Sequence, residues 1–195
     1  MKIWTVQKRE IAQHVMTGGF YQPDFSKSAY MHSIPDLHKL YNIVLDTFNN
    51  VNYTNLPGVI FGFFGFANNK MFEIRNIEDF YELILSNRNV VNSLWKHYLK
   101  DNYVVLELEV DEPFLNPLNI DLNDFQFLMP PFMPMFPYSE QDADRILYNF
   151  QRGVVGPSLL PSNLMQVHIP NLKTKYVKDA YKILTFEQME EFLKG

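Results

Sequence analysis

Two carboxylates stand two residues apart in VVLELEV, residues 104–110. Alternate residues of an extended strand share a face, so Glu107 and Glu109 project together. Carboxylates about 5 Å apart are what a retaining glycoside hydrolase uses, and an exposed strand face carries the same spacing. A second candidate is Gln166 in SNLMQVHIP, whose amide can both donate to and accept from a ligand hydroxyl. His32, Asp36 and His38 bring metal-binding types close together, but they read as a surface loop, and no metal is expected. The glycines of GFFGF (62–66) admit either a flat ligand ring or a tight crossing of strands. MPPFMPMFPY (129–138) is either an adaptable contact surface or a proline-stiffened loop packed over the core. The phosphate loop GxxxxGK[ST], the dinucleotide fingerprint GxGxxG, the zinc motif HExxH and the nucleophile elbow GxSxG do not occur.

The elements that must position these residues follow from periodicity. Residues 2–7 alternate as a strand, and residues 8–17 carry a helical stripe of Ile11, Ala12, Val15 and Met16 that Gly18-Gly19 ends. Residues 20–33 have no clear period and read as a loop. Leu37, Leu40, Tyr41, Val44, Leu45 and Phe48 form an amphipathic helix ended by Asn49-Asn50. VIFGFFGF reads as a buried strand, and a helical region over 77–101 breaks near Ser86-Asn87. Four prolines in 129–138 exclude a helix or a central strand there. Ser139 with Asp142, and Thr185 with Gln188, are capping boxes that open two further helices. Strands are predicted around Gln166 and over 177–184. Because strands and helices mix without regular alternation, the class is α+β.

Composition narrows the function classes. A chain of 195 residues suits a single domain spanning 1–195. A net charge of −5 argues against nucleic acid as a general target. The absence of cysteine removes disulfides and thiolate chemistry. No stretch approaches the ~18–20 apolar residues of a membrane span, and the opening MKIWTVQKRE has no signal-peptide character, so a cytoplasmic location is expected. Lys2, Lys8, Arg9, Lys173, Lys175, Lys178 and Lys182 would form a basic rim if the first and last strands were neighbours.

KIWTVQ, Gly18-Gly19, PGVIFGF, VVLELEV and MQVHIPNLKTKYVKDAYKILTF together resemble an uncharacterised bacterial and phage family, a domain of unknown function. More distantly, the chain resembles small ADP-ribosyltransferase-like domains. These open on a strand carrying His or Arg, turn at glycine after a short helix, and close on a strand of the form E-x-x-V-P. Thr5 stands where the His or Arg would be, and Gln166 where the catalytic Glu would be. The resemblance therefore implies an altered catalytic pair, Gln166 and Thr5. Gln166 can hold a ribose hydroxyl but offers no charge, a loss of roughly 3–4 kcal/mol of transition-state stabilisation.

What the resemblance implies is a bent, split, mostly antiparallel sheet, with helices 35–49 and 77–100 on its flanks and the first strand close to that of Val167. It further implies binding, with turnover left open, of NAD or another ADP-ribose-containing, nucleotide-like small molecule. Tyr21 and Tyr30 would hold nicotinamide, Thr5 or Gln7 the second ribose, and Lys8 or Arg9 the pyrophosphate, with His168 also among the cofactor-binding residues. The alternative is a non-enzymatic interaction module, of phage or mobile-element type, that grips a host protein through the 129–138 loop.

Overall fold

A computed structural model describes every residue except 69, 101, 113, 114 and 131–135. In chain order it runs β1 (Lys2–Lys8), α1 (Arg9–Met16), β2 (Phe20–Tyr21), α2 (Ala29–Ser33), α3 (Leu37–Asn52), β3 (Ile60–Ala67) and β4 (Lys70–Phe72). Then follow α4 (Ile77–Ser86), α5 (Arg88–Lys100), β5 (Tyr103–Glu109), β6 (Leu118–Asp121), α6 (Leu122–Leu128) and α7 (Glu140–Gln151). The chain closes through β7 (Leu164–Ile169), β8 (Leu172–Lys173), β9 (Val177–Lys182) and α8 (Phe186–Phe192). The class is α+β as expected, and the strand registers described are antiparallel.

The residues gather into two compact units, one of Met1–Tyr21, Gly62–Asp111 and Leu172–Gly195, the other of Gln22–Phe61 and Glu112–Asn171. In the first unit β1 lies between β3 and β5, β9 pairs with the far side of β5, and β4 pairs with β3. The alternation of VVLELEV sets this register, with Trp4 opposite Glu107 and Thr5 opposite Leu106. Trp4 is fully buried; its indole N–H donates to the Ile74 carbonyl at 3.1 Å, and its ring stacks on Phe80 at 5.2 Å. The expected break between α4 and α5 falls at Asn87, whose side chain donates to the Leu83 carbonyl and whose backbone N–H also turns back to it. Gly65 is a close-approach glycine: a Cβ there would stand 2.3 Å from the ring of Phe72. The ring that GFFGF accommodates is thus the protein's own.

In the second unit, α3 and α7 pack with β6, β7 and α6 around Val44, Phe48, Ile120, Phe125, Ile146 and Phe150. The stretch 20–33, expected as a loop, holds β2, a 3-10 turn (Phe25–Lys27) and α2. Its lack of period is offset by capping: Asp24 accepts from the Ser26 N–H at 3.0 Å and Ser28 from the Met31 N–H at 3.4 Å. α3 runs past Asn49-Asn50 because the Asn49 side chain bonds forward to Leu56, and the helix stops instead at Tyr53 in the left-handed region (φ 53°). Both predicted capping boxes are formed, at Ser139–Asp142 and Thr185–Gln188. Among the described residues no helix is long and apolar enough to cross a membrane.

Candidate functional site

The second unit contains a polar pocket that begins with the alternation of β6. Successive strand residues face opposite ways, which puts Asn119 and Asp121 on one side and Leu118 and Ile120 on the other. Asp121 then caps the helix that follows, its Oδ1 accepting from the Asn123 N–H at 2.8 Å, while its Oδ2 accepts from the Ser162 N–H at 3.0 Å. Burial is the main cause that raises the Asp121 pKa, and the Asp124 carboxylate adds to it against those two N–H bonds. Three residues on, near one helical turn, is Asp124, only 5% exposed. Its Oδ1 accepts from the Tyr138 hydroxyl and the Ser158 hydroxyl, each at 2.7 Å. Among the described residues no hydrogen bond reaches its Oδ2.

Tyr138 is fixed by stacking on Phe127 at 4.5 Å. Burial first, then the nearby Asp124 carboxylate, hold its phenol well above the ordinary value, so it remains a donor. Ser158 is fixed by the Leu160 N–H, which donates to its Oγ at 3.2 Å. From α7, Arg145 and Asn149 reach the same place, being four residues apart on one helix edge. The Arg145 guanidinium is engaged with Asp142 at 3.3 Å and donates to the Pro157 carbonyl at 3.4 Å. Gly156 passes close over Asn149, where a Cβ would meet the amide nitrogen at 2.7 Å. Asp121, Asp124, Arg145 and Asn149, with Phe150, Val154 and Val155, line a pocket open to solvent whose enclosed space is about 20 Å³, room for little more than one water-sized group. Asn119, on its wall, has a buried Oδ1 with no hydrogen-bond partner among the described residues, and so has Asn123, next to Asp124 in the chain but off the lining.

The residues singled out in the sequence lie elsewhere. Thr5, Gln7, Lys8, Arg9 and Tyr21 belong to the first unit. Thr5 is fully buried and its hydroxyl accepts from the Gln7 amide at 2.8 Å. Lys8 and Arg9 are exposed at the junction of β1 and α1, and Tyr21 pairs with Leu172. Tyr30, Gln166 and His168 belong to the second unit. Tyr30 stands edge-on to Tyr41 at 6.4 Å, and burial raises its phenol pKa. Gln166 is 3% exposed, with its amide nitrogen 3.1 Å from His168 Nε2. His168 Nδ1 lies 2.8 Å from the Leu118 carbonyl, which can only accept, so Nδ1 carries the proton and Nε2 accepts from Gln166. The imidazole is walled by Phe61, Phe125 and Phe150, and burial pushes its pKa down to about 4.

The paired glutamates have separate cations. Glu107 holds Lys2 at 2.9 Å and accepts from Tyr181 at 3.2 Å, while Glu109 holds Lys178 at 2.7 Å. A basic rim between the first and last strands does not form, because β5 separates β1 from β9 and two of the lysines are already paired. Asp36 is paired with Lys39 at 2.7 Å, and among the described residues no group of three His, Cys, Asp or Glu side chains converges. Five residues of the 129–138 segment lie outside the described ones. Of the others, Phe136 is 95% exposed and Tyr138 is buried.

Sequence reasoning passed over Asp121, Asp124 and their partners. The available signal was LNIDLNDFQFL (118–128), where acidic and amide side chains interrupt an apolar run. Such residues must be hydrogen-bonded or face a ligand. No protein-family model matches the chain, and no curated protein or solved structure is detectably similar to it.

Proposed function

We propose that the protein binds a small polar molecule in the pocket beside Asp124. The observation that carries this reading is a carboxylate only 5% exposed, with one oxygen held by two hydroxyls and the other without a donor among the described residues. Removing a carboxylate from water is costly unless its lone pairs are met, and a ligand donor would complete the set. The enclosed space, about 20 Å³, is far below the roughly 300–1,000 Å³ of drug-sized sites. It therefore suits the polar head of a small ligand whose remainder lies along the open mouth.

The ADP-ribosyltransferase-like reading, with NAD as ligand, rests on the sequence resemblance alone and draws no support from the burial of Gln166 and Thr5. The test is a thermal-shift and calorimetric panel of small amines, polyols, carboxylates, nucleotides, NAD and ADP-ribose against the wild type and Asp124→Asn. The asparagine keeps an acceptor for Tyr138 and Ser158. A ligand lost in Asp124→Asn supports the pocket reading. A ligand unaffected by Asp124→Asn but lost in Gln166→Ala would replace it with the transferase-like one.

Phe136 favours a second reading, a protein contact through the 129–138 segment, because a phenylalanine 95% exposed gains most from being covered. Phe136→Ala should then weaken association with a partner protein and leave small-molecule binding unchanged.

A further inference from the structure

The unmet groups in and beside the pocket are of one kind. Among the described residues, Asn119 of the lining has a buried, unpartnered Oδ1, Asn123, next to Asp124 in the chain but off the lining, has another, and no donor reaches Asp124 Oδ2. All three are acceptors. Of the nearby donors, Tyr138 and Ser158 are engaged by Asp124 Oδ1, one Asn123 amide N–H by the Leu160 carbonyl at 2.5 Å, and Arg145 by Asp142 and Pro157, while the Asn149 amide also stands on the lining.

Charge points the same way. The pocket lining holds two carboxylates, Asp121 and Asp124, against one cation, Arg145, which is itself engaged by Asp142 outside the lining, so the lining is one negative charge in excess when both its carboxylates are ionised. The opposite wall is aliphatic, formed by Ile120, Ile146, Val154 and Val155, with Val154 49% and Val155 41% exposed at the mouth.

Resting on the pocket reading above, we propose that the ligand is an alkylammonium or alkylguanidinium, its cationic head on Asp124 Oδ2 and its stem along the Val154–Val155 wall. An ammonium has three donors and no acceptor, and a guanidinium five donors and no acceptor, which matches the unmet oxygens and the negative excess of the lining. A polyol brings as many acceptors as donors, and a carboxylate ligand would meet Asp124 with like charge. The same chemistry is available from a free diamine and from a lysine or arginine side chain of a peptide.

The experiment is calorimetric titration of the full chain with cadaverine, agmatine, 1,5-pentanediol and glutarate, and with a short peptide bearing one lysine flanked by valines. The expected result is that cadaverine or agmatine binds at least tenfold more tightly than the diol, glutarate does not bind, and Asp124→Asn removes at least tenfold of the amine affinity. Asn119→Leu, which keeps the carboxylate and removes the unpartnered oxygen, should weaken the amine several-fold. Tighter binding of the peptide than of cadaverine would assign the head group to a protein partner, and the reverse to a free amine. Diol binding equal to that of the amine and lost in Asp124→Asn would overturn the cation proposal while leaving the pocket reading standing. Failure of every compound to bind the folded wild type would overturn the proposal, and amine binding indifferent to both substitutions would overturn the proposal and the pocket reading together.

Discussion

His168 and Asp124 are two buried polar side chains in the same unit, and they are finished differently. Each ring nitrogen of His168 meets a partner, Leu118 on one side and Gln166 on the other, and aromatic rings close around it. Asp124 has partners on one oxygen and an open pocket beside the other. A polar group whose bonds are spent within the protein holds the fold. A polar group buried with bonding capacity left over marks a place where something else can bind.

The largest effect should come from breaking the closed cluster. His168→Ala removes both bonds and leaves a void among Phe61, Phe125 and Phe150, which should cost about 3 kcal/mol and lower the melting temperature by about 8 °C. A melting curve within 2 °C or so of the wild type would show that the cluster is not holding the unit together.

Nearly as large is the expected pH dependence. An imidazole that titrates near 6.5 in the unfolded chain and near 4 here binds its proton more readily when unfolded. Its contribution is complete above pH 6.5 and is lost as the pH falls toward 4, by up to about 3 kcal/mol. Urea unfolding across that range should show a slope in the wild type that His168→Phe flattens. Parallel curves for the two proteins would exclude His168 as its source.

Gln166→Ala takes away only the donor to Nε2 and should cost about 1–2 kcal/mol, with no change in binding at the Asp124 pocket. Coupled loss of stability and binding would erase the distinction between the two clusters. Tyr138→Phe removes one of the two hydroxyls on Asp124 and should cost about 1 kcal/mol by chemical denaturation. Smallest is Glu107→Gln, about 0.5 kcal/mol, because Lys2 keeps Glu73 at 3.4 Å and the Arg75 carbonyl at 2.7 Å as partners. A loss of several kcal/mol there would show that the Lys2–Glu107 pair is far more than a surface ion pair.

The same contrast separates what the sequence made legible from what it did not. α3 was readable because Leu40, Val44 and Phe48 repeat at helical spacing within one element, and the capping boxes because their two halves lie three residues apart. The 3-10 turn and α2 after Tyr21 were not readable, since Asp24 and Ser28 build them by local capping without a hydrophobic repeat. β6 was hidden by its brevity, four residues followed directly by a helix. The pocket was harder still. Asp124, Tyr138 and Ser158 come from separate segments, 14 and 34 positions away from Asp124, and nothing local ties them together. Gln166 attracted attention because it stands where the resemblance puts a catalytic glutamate, but its partner was two positions along the same strand. Periodicity reports which face is buried, and it does not report which buried polar groups have found each other.

The contact between Gly65 and Phe72 bears on how this chain can vary over generations. A methyl at position 65 would stand where the ring of 72 now lies, so a side chain at 65 requires that partly exposed ring to swing aside or give way to a smaller residue. In a collection of descendants, a residue other than glycine at 65 should be found most often where 72 is no longer a ring.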